Sequence, residues 1–195
     1  MQRNEGVAAV VLAAGGATRF VGAGHKLLAP FRGRPLVVWA VDAALGAGFD
    51  ETVVVTGAAD LVPALSEAGL LDRVRLVDNP RWAEGQALSL AAGLGALDPS
   101  RLAAAVVGLG DQPLIGAESW RRVGAEGSRP IAVATYDGRR RNPVRLAREV
   151  WGELPVVGDE GARGLMARRP ELVCEVPCPG EPADVDTLED LTRWS

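Results

Sequence analysis

The chain has 195 residues, of which 48% are hydrophobic and 24% are charged, and its formal net charge is −4. This length predicts a single domain over residues 1–195 with a substantial core. An acidic chain lacks the basic face of a general nucleic-acid binder, which excludes that class. No apolar run approaches the ~20 residues of a membrane span, and the opening MQRNEG carries no secretory signal. We therefore expect a cytoplasmic protein with neither nucleic-acid nor membrane partners.

The cysteine pattern argues against a structural zinc site or a redox motif. Cys174 and Cys178 are not spaced as C-x-x-C, and His25, the only histidine, lies far from both in sequence. A catalytic Ser-His-Asp triad would have to use that one histidine. The pattern favours reduced cysteines in a cytosolic protein.

Strand and helix patterns alternate along the chain. Short apolar runs bounded by glycine or proline predict buried strands, and apolar residues at helical spacing predict helices. In chain order we predict a strand over 7–14, a loop with a turn over 27–35, a helix over 36–45, a strand over 51–56, a helix over 59–68, a strand over 73–77, a helix over 84–97, a strand over 102–107, a helix over 118–125, a strand over 130–135, an antiparallel arm over 141–146, helices over 148–153 and 161–168, a strand over 172–176, and a helix over 187–194 with Thr187 and Asp190 in a capping box. Alternation of this kind predicts an α/β fold with a mostly parallel central sheet.

The first strand leads into a glycine-rich stretch that ends at Lys26. Gly15 and Gly16 allow a sharp turn that presents bare backbone N–H groups. Arg19 and Lys26 add two positive charges nearby, and together these groups are suited to hold a triphosphate. A surface loop with two solvated basic residues is the alternative interpretation. The stretch fits neither the Walker A pattern nor the dinucleotide-binding G-x-G-x-x-G.

Carboxylates follow later strands. Asp111 comes after the fourth strand, and ligands of open α/β sheets lie at the carboxyl ends of strands. If the first and fourth strands are neighbours, Asp111 faces the first loop and can hold Mg²⁺ together with phosphate oxygens. Asp184 and Asp186 form a second acidic pair, from which we expect one side chain to reach a metal. Helix capping is the alternative for all three aspartates.

Four motifs in the right order resemble the molybdenum cofactor cytidylyltransferases of the nucleotidyltransferase-like superfamily. These motifs are LAAGGATRF followed by Lys26, NPRWAEGQALSLAAGL, LGDQP and DVDTLEDL, and the resemblance covers residues 7–191. It implies a three-layer Rossmann-like fold and transfer of CMP from CTP to the phosphate of molybdopterin, with release of pyrophosphate and dependence on Mg²⁺. A molybdoenzyme that receives the product is an implied partner. The forms LAAG and Gly-Asp-Gln-Pro are similar to the CTP-using branch rather than the GTP-using branch.

The resemblance also assigns roles to residues. It implies catalytic roles for Lys26 and Arg19, and metal binding by Asp111 and Asp186, with Asp184 as the reserve for the second position. It implies nucleotide binding by Leu12, Ala13, Ala14, Gly15, Gly16, Thr18, Arg19, Lys26, Gly85, Ser89 and Asp111.

The acceptor side departs from the family pattern. Residues 19–22 read Arg-Phe-Val-Gly where the family has Arg-Met-Gly, and residues 141–143 read Arg-Asn-Pro in place of Gly-His-Pro. Residues 158–163, in contrast, resemble the family's Gly-Asp-x-Gly-Ala-Arg element. We therefore assign Arg141, Asn142 and Arg163 to the acceptor. Another phosphorylated acceptor, such as a sugar or polyol phosphate, guanylyl transfer from GTP, and a non-catalytic cofactor-delivery protein are the alternatives.

Overall fold

The computed structural model describes residues 6–17, 20 and 24–194. Its strands are, in chain order, β1 (Gly6–Leu12), β2 (Pro30–Phe31), β3 (Arg34–Pro35), β4 (Glu51–Thr56), β5 (Arg75–Asp78), β6 (Leu102–Leu109), β7 (Ile131–Tyr136), β8 (Arg139–Ala147) and β9 (Val173–Pro177). Its α-helices are α1 (Leu36–Gly46), α2 (Val62–Glu67), α3 (Gln86–Gly95), α4 (Ala117–Ala125), α5 (Ala162–Arg168) and α6 (Leu188–Trp194).

Seven of the strands form one sheet in the order β5-β4-β1-β6-β8-β7-β9. β1 pairs in parallel with β4 on one side and with β6 on the other. The chain first extends the sheet from β1 through β4 to β5, and then returns to place β6 on the opposite side of β1. The strand order therefore reverses between β1 and β6, which is where ligands of open α/β sheets bind.

Helices cover both faces of the sheet, because its central strands alternate apolar side chains toward two cores. Ala9 and Val11 face a core that contains side chains of α1, α2 and α4, and α6 packs against that core. Ala8 and Val10 face the second core, which contains side chains of α3 and α5. Burial on both faces explains why the parallel strands read as continuous apolar runs. The predicted three-layer α/β fold with a mostly parallel sheet is confirmed.

The predicted antiparallel arm is part of the sheet itself. β8 lies between β6 and β7 and is antiparallel to both, and it joins β7 through a two-residue turn. Asp137 and Gly138, the predicted turn, have φ of 49° and 71°, as the favoured two-residue hairpin turn requires. Apolar residues such as Val144 and Leu146 are buried, which is why this segment is integrated rather than left at the surface.

Several predicted elements are shorter or of another type. The helices predicted over 59–68 and 84–97 shrink to α2 and α3, and residues 82–84 form a 3₁₀ turn. Arg148–Glu153 is a 3₁₀ helix. The predicted loop over 27–35 contains a 3₁₀ turn and the small β2–β3 hairpin. No helix in the described ranges is long and apolar enough to span a membrane.

Candidate active site

The loop after β1 is held against the neighbouring strand β4. The Ala13 amide donates to the Val55 carbonyl at 2.9 Å, and the Ala58 amide donates to the Ala14 carbonyl at 3.0 Å. Ala13 and Ala14 are buried, whereas Gly15 is exposed. A Cβ on Gly16 would lie 2.5 Å from the Trp82 ring, so glycine is needed for this packing. Within the described part of the chain, the Gly15 and Gly16 amides make no hydrogen bond.

His25 connects this loop to the segment that carries Lys26. Its Nδ1 accepts a hydrogen bond from the Leu27 amide at 3.2 Å, and Nε2 lies 2.9 Å from the Gly15 carbonyl oxygen. An Nδ1 that accepts leaves the proton of the neutral ring on Nε2, which then donates to Gly15. The side chain fixes the glycine turn relative to Lys26, a role that the sequence interpretation did not assign to it.

Lys26 lies between two carboxylates that are distant in sequence. Its Nζ donates to Asp111 Oδ2 at 2.7 Å and to Asp186 Oδ1 at 2.8 Å. The side chains of Lys26, Asp111 and Asp186 are 9%, 22% and 27% exposed. The parallel pairing of β1 and β6 brings Asp111 to the first loop, as the sequence predicted. Three of the residues predicted to act together are therefore in direct contact.

The two carboxylates keep Lys26 charged. Burial alone lowers the pKa of this ammonium, but the charges and hydrogen bonds of Asp111 and Asp186 outweigh it and raise the pKa. An ammonium has three N–H donors, and two of them are used by the aspartates. Within the described residues, nothing accepts the third. Lys26 is therefore a fixed cation with one donor left for a ligand.

Capping does not explain these aspartates. The residue that precedes α4 is Gly116, with no side-chain cap, so Asp111 is not a helix cap. Ahead of α6, the Asp190 amide donates to Thr187 Oγ1 at 3.1 Å, and the Thr187 amide donates to Asp190 Oδ2 at 2.9 Å. This is the predicted capping box, and it leaves the side chain of Asp186 to face Lys26.

Asp184 has a different partner from Asp186. Gln112 Nε2 donates to Asp184 Oδ1 at 2.7 Å, and between the two aspartates the buried Val185 donates its amide to the Asp111 carbonyl at 3.1 Å. Burial, followed by the charge of Asp111, raises the pKa of the Asp184 carboxyl. The two carboxylates of the segment 184–186 therefore have different partners: Asp186 accepts from Lys26, and Asp184 accepts from Gln112.

A cavity of about 660 Å³ adjoins this cluster. Its wall combines Leu12 from β1 with Asp184 and with the three predicted acceptor residues Arg141, Asn142 and Arg163. Arg141 and Asp184 also line a second, polar cavity of about 560 Å³. The three residues predicted to bind the acceptor therefore line one cavity, next to the end of β1.

The remaining predicted nucleotide residues occupy varied positions. Ser89 is buried, and its hydroxyl accepts a hydrogen bond from Asn79 Nδ2 at 3.0 Å. Gly85 has a φ of 122° and precedes the first turn of α3. Thr18 and Arg19 lie outside the described residues, so their assigned roles stay predictions.

Comparison with known proteins identifies the family. The model of the MobA-like NTP transferase domain matches residues 9–173. The chain belongs to this family. It is 34% identical to the nicotine blue oxidoreductase of Paenarthrobacter nicotinovorans, with 94% of each chain covered. It superposes on Rv0371c of Mycobacterium tuberculosis H37Rv with a TM-score of 0.81 and 32% identity, with 96% of each chain covered. It also superposes on the manganese complex of Rv0371c with a TM-score of 0.79 and 30% identity, with 97% of each chain covered.

The residues present fit the divalent metal that the MobA-like family implies. Asp111 Oδ2 and Asp186 Oδ1 already share one cation, the Lys26 ammonium. The second oxygen of Asp111 is buried and, among the described residues, has no hydrogen-bond partner, which is costly unless a ligand satisfies it. No group of three or more His, Cys, Asp or Glu side chains within the described ranges could hold a metal. A metal here would therefore complete its shell with phosphate oxygens and water, as Mg²⁺ prefers.

The sequence also contains one signal that singles out Lys26, and the structure shows one contact that the sequence does not signal. Lys26 is the only lysine among the 21 Lys and Arg residues, which marks it as a position where arginine does not serve. Gln112 is buried beside Asp111, and only one end of its amide is bonded. Nothing local predicts that bond, because its partner Asp184 lies 72 residues away.

Proposed function

We propose that this MobA-like protein is a Mg²⁺-dependent transferase that moves CMP from CTP to the terminal phosphate of molybdopterin and releases pyrophosphate. The observation that supports it best is the contact of Lys26 with Asp111 and Asp186 at the reversal of the strand order. The choice of CTP as nucleotide and molybdopterin as acceptor rests on the four motifs and their resemblance to the CTP-using branch. Cytoplasmic location and delivery of the product to a molybdoenzyme belong to the same proposal.

The reaction joins two anions. An oxygen of the acceptor phosphate attacks the α-phosphorus of CTP, a new P–O bond forms, and the bond to the β-phosphate oxygen breaks. The electron pair leaves with pyrophosphate. The nucleophile is already an anion, so no general base is needed, and the work of the protein is alignment and neutralisation of charge.

The side chains of the cluster suit these tasks. The free N–H of Lys26 and the unbonded amides of Gly15 and Gly16 would donate to oxygens of the triphosphate. Asp111 and Asp186 would hold the metal, which when bound neutralises phosphate charge. The aspartates also fix the Lys26 ammonium, because it bonds to both. Lysine suits this place because its three donors radiate from one point, unlike the planar fork of arginine.

The acceptor residues complete the arrangement. In the described ranges, no carboxylate lies within ion-pair distance of Arg141 or Arg163. Unpaired guanidinium groups on the wall of a cavity are suited to bind a phosphate. The same chemistry would serve a sugar or polyol phosphate, which is the alternative acceptor.

The relative from Paenarthrobacter nicotinovorans favours a second candidate, an oxidoreductase. Its name and its 34% identity across nearly the whole chain are the observation behind it. The absence of G-x-G-x-x-G after β1 and the Lys26 cluster favour nucleotidyl transfer. A non-catalytic cofactor-delivery protein is the remaining alternative.

Calorimetry of CTP, GTP and ATP with Mg²⁺, combined with pyrophosphate release in the presence of molybdopterin, tests the proposal. We expect CTP to bind best and to bind more weakly to Asp111→Ala. Asp98→Ala, which removes a carboxylate bonded only to the turn at Ser100, should bind like the wild type. If GTP bound best, the proposed nucleotide substrate would be GTP instead of CTP. If nucleotide bound but pyrophosphate was released only with sugar or polyol phosphates, one of these would be the acceptor instead of molybdopterin. Nucleotide binding without turnover would favour the cofactor-delivery protein. Oxidation of NAD(P)H with no nucleotide transfer would establish the second candidate.

A further inference from the structure

The segment 158–163, which we name the acceptor loop, is bonded to the beginning of α3. The Gln86 amide donates to Asp159 Oδ1 at 3.2 Å, and the Ala87 amide donates to the Gly158 carbonyl at 3.0 Å. These are the first two residues of α3, whose amides have no acceptor within the helix. The residue next to α3, Gly85, offers no side-chain cap. Asp159 therefore caps α3 from 73 residues away.

Gly85 allows this contact. A Cβ at this position would lie 2.6 Å from the Gly158 carbonyl oxygen and 3.0 Å from Asp159 Oδ1. The φ of 122° at Gly85 is also a backbone angle that residues other than glycine rarely adopt. Two separate features, the close approach and the backbone conformation, thus require glycine where the acceptor loop meets α3.

Residues on both sides of the contact line one cavity. Gln86 at the start of α3 and Glu160 and Arg163 beyond the contact all line the same space of about 660 Å³. We propose that Asp159 is a positioning residue, which holds the acceptor loop on α3 so that Arg163 stands at a fixed distance from the nucleotide side. This inference rests on the proposed function for what the two sides bind.

One consequence is coupling between the two substrates. A ligand that orders the beginning of α3 also orders the acceptor loop, because the same two hydrogen bonds belong to both. Coupling of this kind is reciprocal in binding free energy. We infer that nucleotide binding prepares the acceptor loop and that loss of the Asp159 carboxylate separates the two events.

Hydrogen exchange on the ligand-free protein tests the contact itself. Asp159→Ala should speed exchange of the Gln86 amide about tenfold, the size expected from loss of a charge-assisted hydrogen bond. Exchange of the Ala87 amide should rise by less, because its acceptor is the Gly158 carbonyl. Asp159→Asn keeps an oxygen acceptor and should stay close to the wild type, whereas Gly85→Ala should behave like Asp159→Ala. Asp98→Ala is the matched control. A wild-type exchange rate at the Gln86 amide in Asp159→Ala would overturn the inference whatever the protein binds.

Addition of CTP with Mg²⁺ tests the coupling. We expect slower exchange over residues 160–165 in the wild type and in Asp159→Asn, and no change in Asp159→Ala although it still binds CTP. In turnover, Asp159→Ala should raise KM for the acceptor more than it lowers kcat. Protection of α3 without protection of 160–165 in the wild type would overturn the coupling. If the wild type keeps the ligand-free contact and binds no nucleotide, the proposed function fails and the coupling fails with it.

Discussion

The Lys26 cluster and the proposed acceptor residues are built on opposite principles. On the proposed nucleotide side, Lys26, Asp111 and Asp186 are in contact and largely buried, and the ammonium offsets part of the carboxylate charge. On the acceptor side, Arg141 and Arg163 are exposed cations that, within the described part of the chain, have no carboxylate partner. The first arrangement is preorganised in the free protein, whereas the second is complete only when an anion arrives.

This difference separates chemistry from specificity. Preorganised charges stabilise a transition state without reorganisation, so a change there should affect the rate. Exposed arginines that have no carboxylate partner among the described residues contribute mainly when a phosphate binds, so a change there should affect affinity for one substrate. The two sides can therefore be distinguished by kinetics.

The largest effect is expected on the nucleotide side. Lys26→Ala should lower turnover by about 10²–10³, the usual loss when a preorganised donor to a reacting phosphate is removed. Lys26→Arg should rescue little, because a planar guanidinium cannot place its donors on both aspartates and a phosphate. Pyrophosphate release measures both variants. Arg75→Ala removes an exposed cation paired with Glu51 and should keep wild-type activity. Lys26→Ala with activity close to the wild type would remove Lys26 from the mechanism.

A smaller and more selective effect is expected on the acceptor side. Arg163→Ala should raise KM for the phosphorylated acceptor about tenfold, the size of one lost charge-assisted hydrogen bond, and leave KM for CTP unchanged. Initial rates with each substrate varied in turn measure this. Arg168→Ala, on the same helix α5 but outside the wall of the cavity, is the control. An equal rise in both KM values would show that the two sides are not separable.

The smallest effect concerns stability and pH. The pKa of Asp184 is raised by burial and by the charge of Asp111, so the folded protein holds this proton more tightly than the unfolded chain. The ionised carboxylate therefore costs stability above that pKa, and the cost disappears as the pH falls through it. Asp184→Asn should raise the thermal midpoint near neutral pH, and its advantage should shrink on acidification. Asp98, whose pKa is lowered by its bonds to Ser100, should give no such gain as Asp98→Asn. A lower thermal midpoint for Asp184→Asn at neutral pH would contradict the prediction that the ionised Asp184 carboxylate destabilises the folded protein.

The nucleotide side was largely predictable from sequence because its determinants are local or follow from strand order. A buried strand that ends in two glycines and a strand that ends before Asp111 meet once the sheet is parallel. The capping box at Thr187 and Asp190 is also a local pattern, and it formed as predicted. The length of α2 and the β2–β3 hairpin were missed, because such short elements are set by packing rather than by periodicity.

The acceptor side was less predictable because its contacts join distant segments. Two hydrogen bonds, from Gln86 to Asp159 and from Gln112 to Asp184, join residues 73 and 72 positions apart. No rule of sequence spacing predicts them. The antiparallel pairing of β8 with β7 was predicted, whereas its pairing with β6 was not, since its first residues, Arg139 to Arg141, are exposed and polar. These arginines lie at the hairpin end of β8, and the buried residues after them determine the position of the strand in the sheet.

The position of Asp186 has a consequence for synthesis of the protein. All seven strands of the main sheet are complete by residue 177, yet Asp184 and Asp186 follow them. A ribosome that stops between these points releases a chain with every strand but without the second carboxylate beside Lys26. Such a product would contain every strand of the sheet but leave the Lys26 cluster unfinished, and it would lack the buried Val185 and the helix α6 that packs against the first core. The Lys26 cluster is therefore completed only by residues that leave the ribosome after the whole sheet.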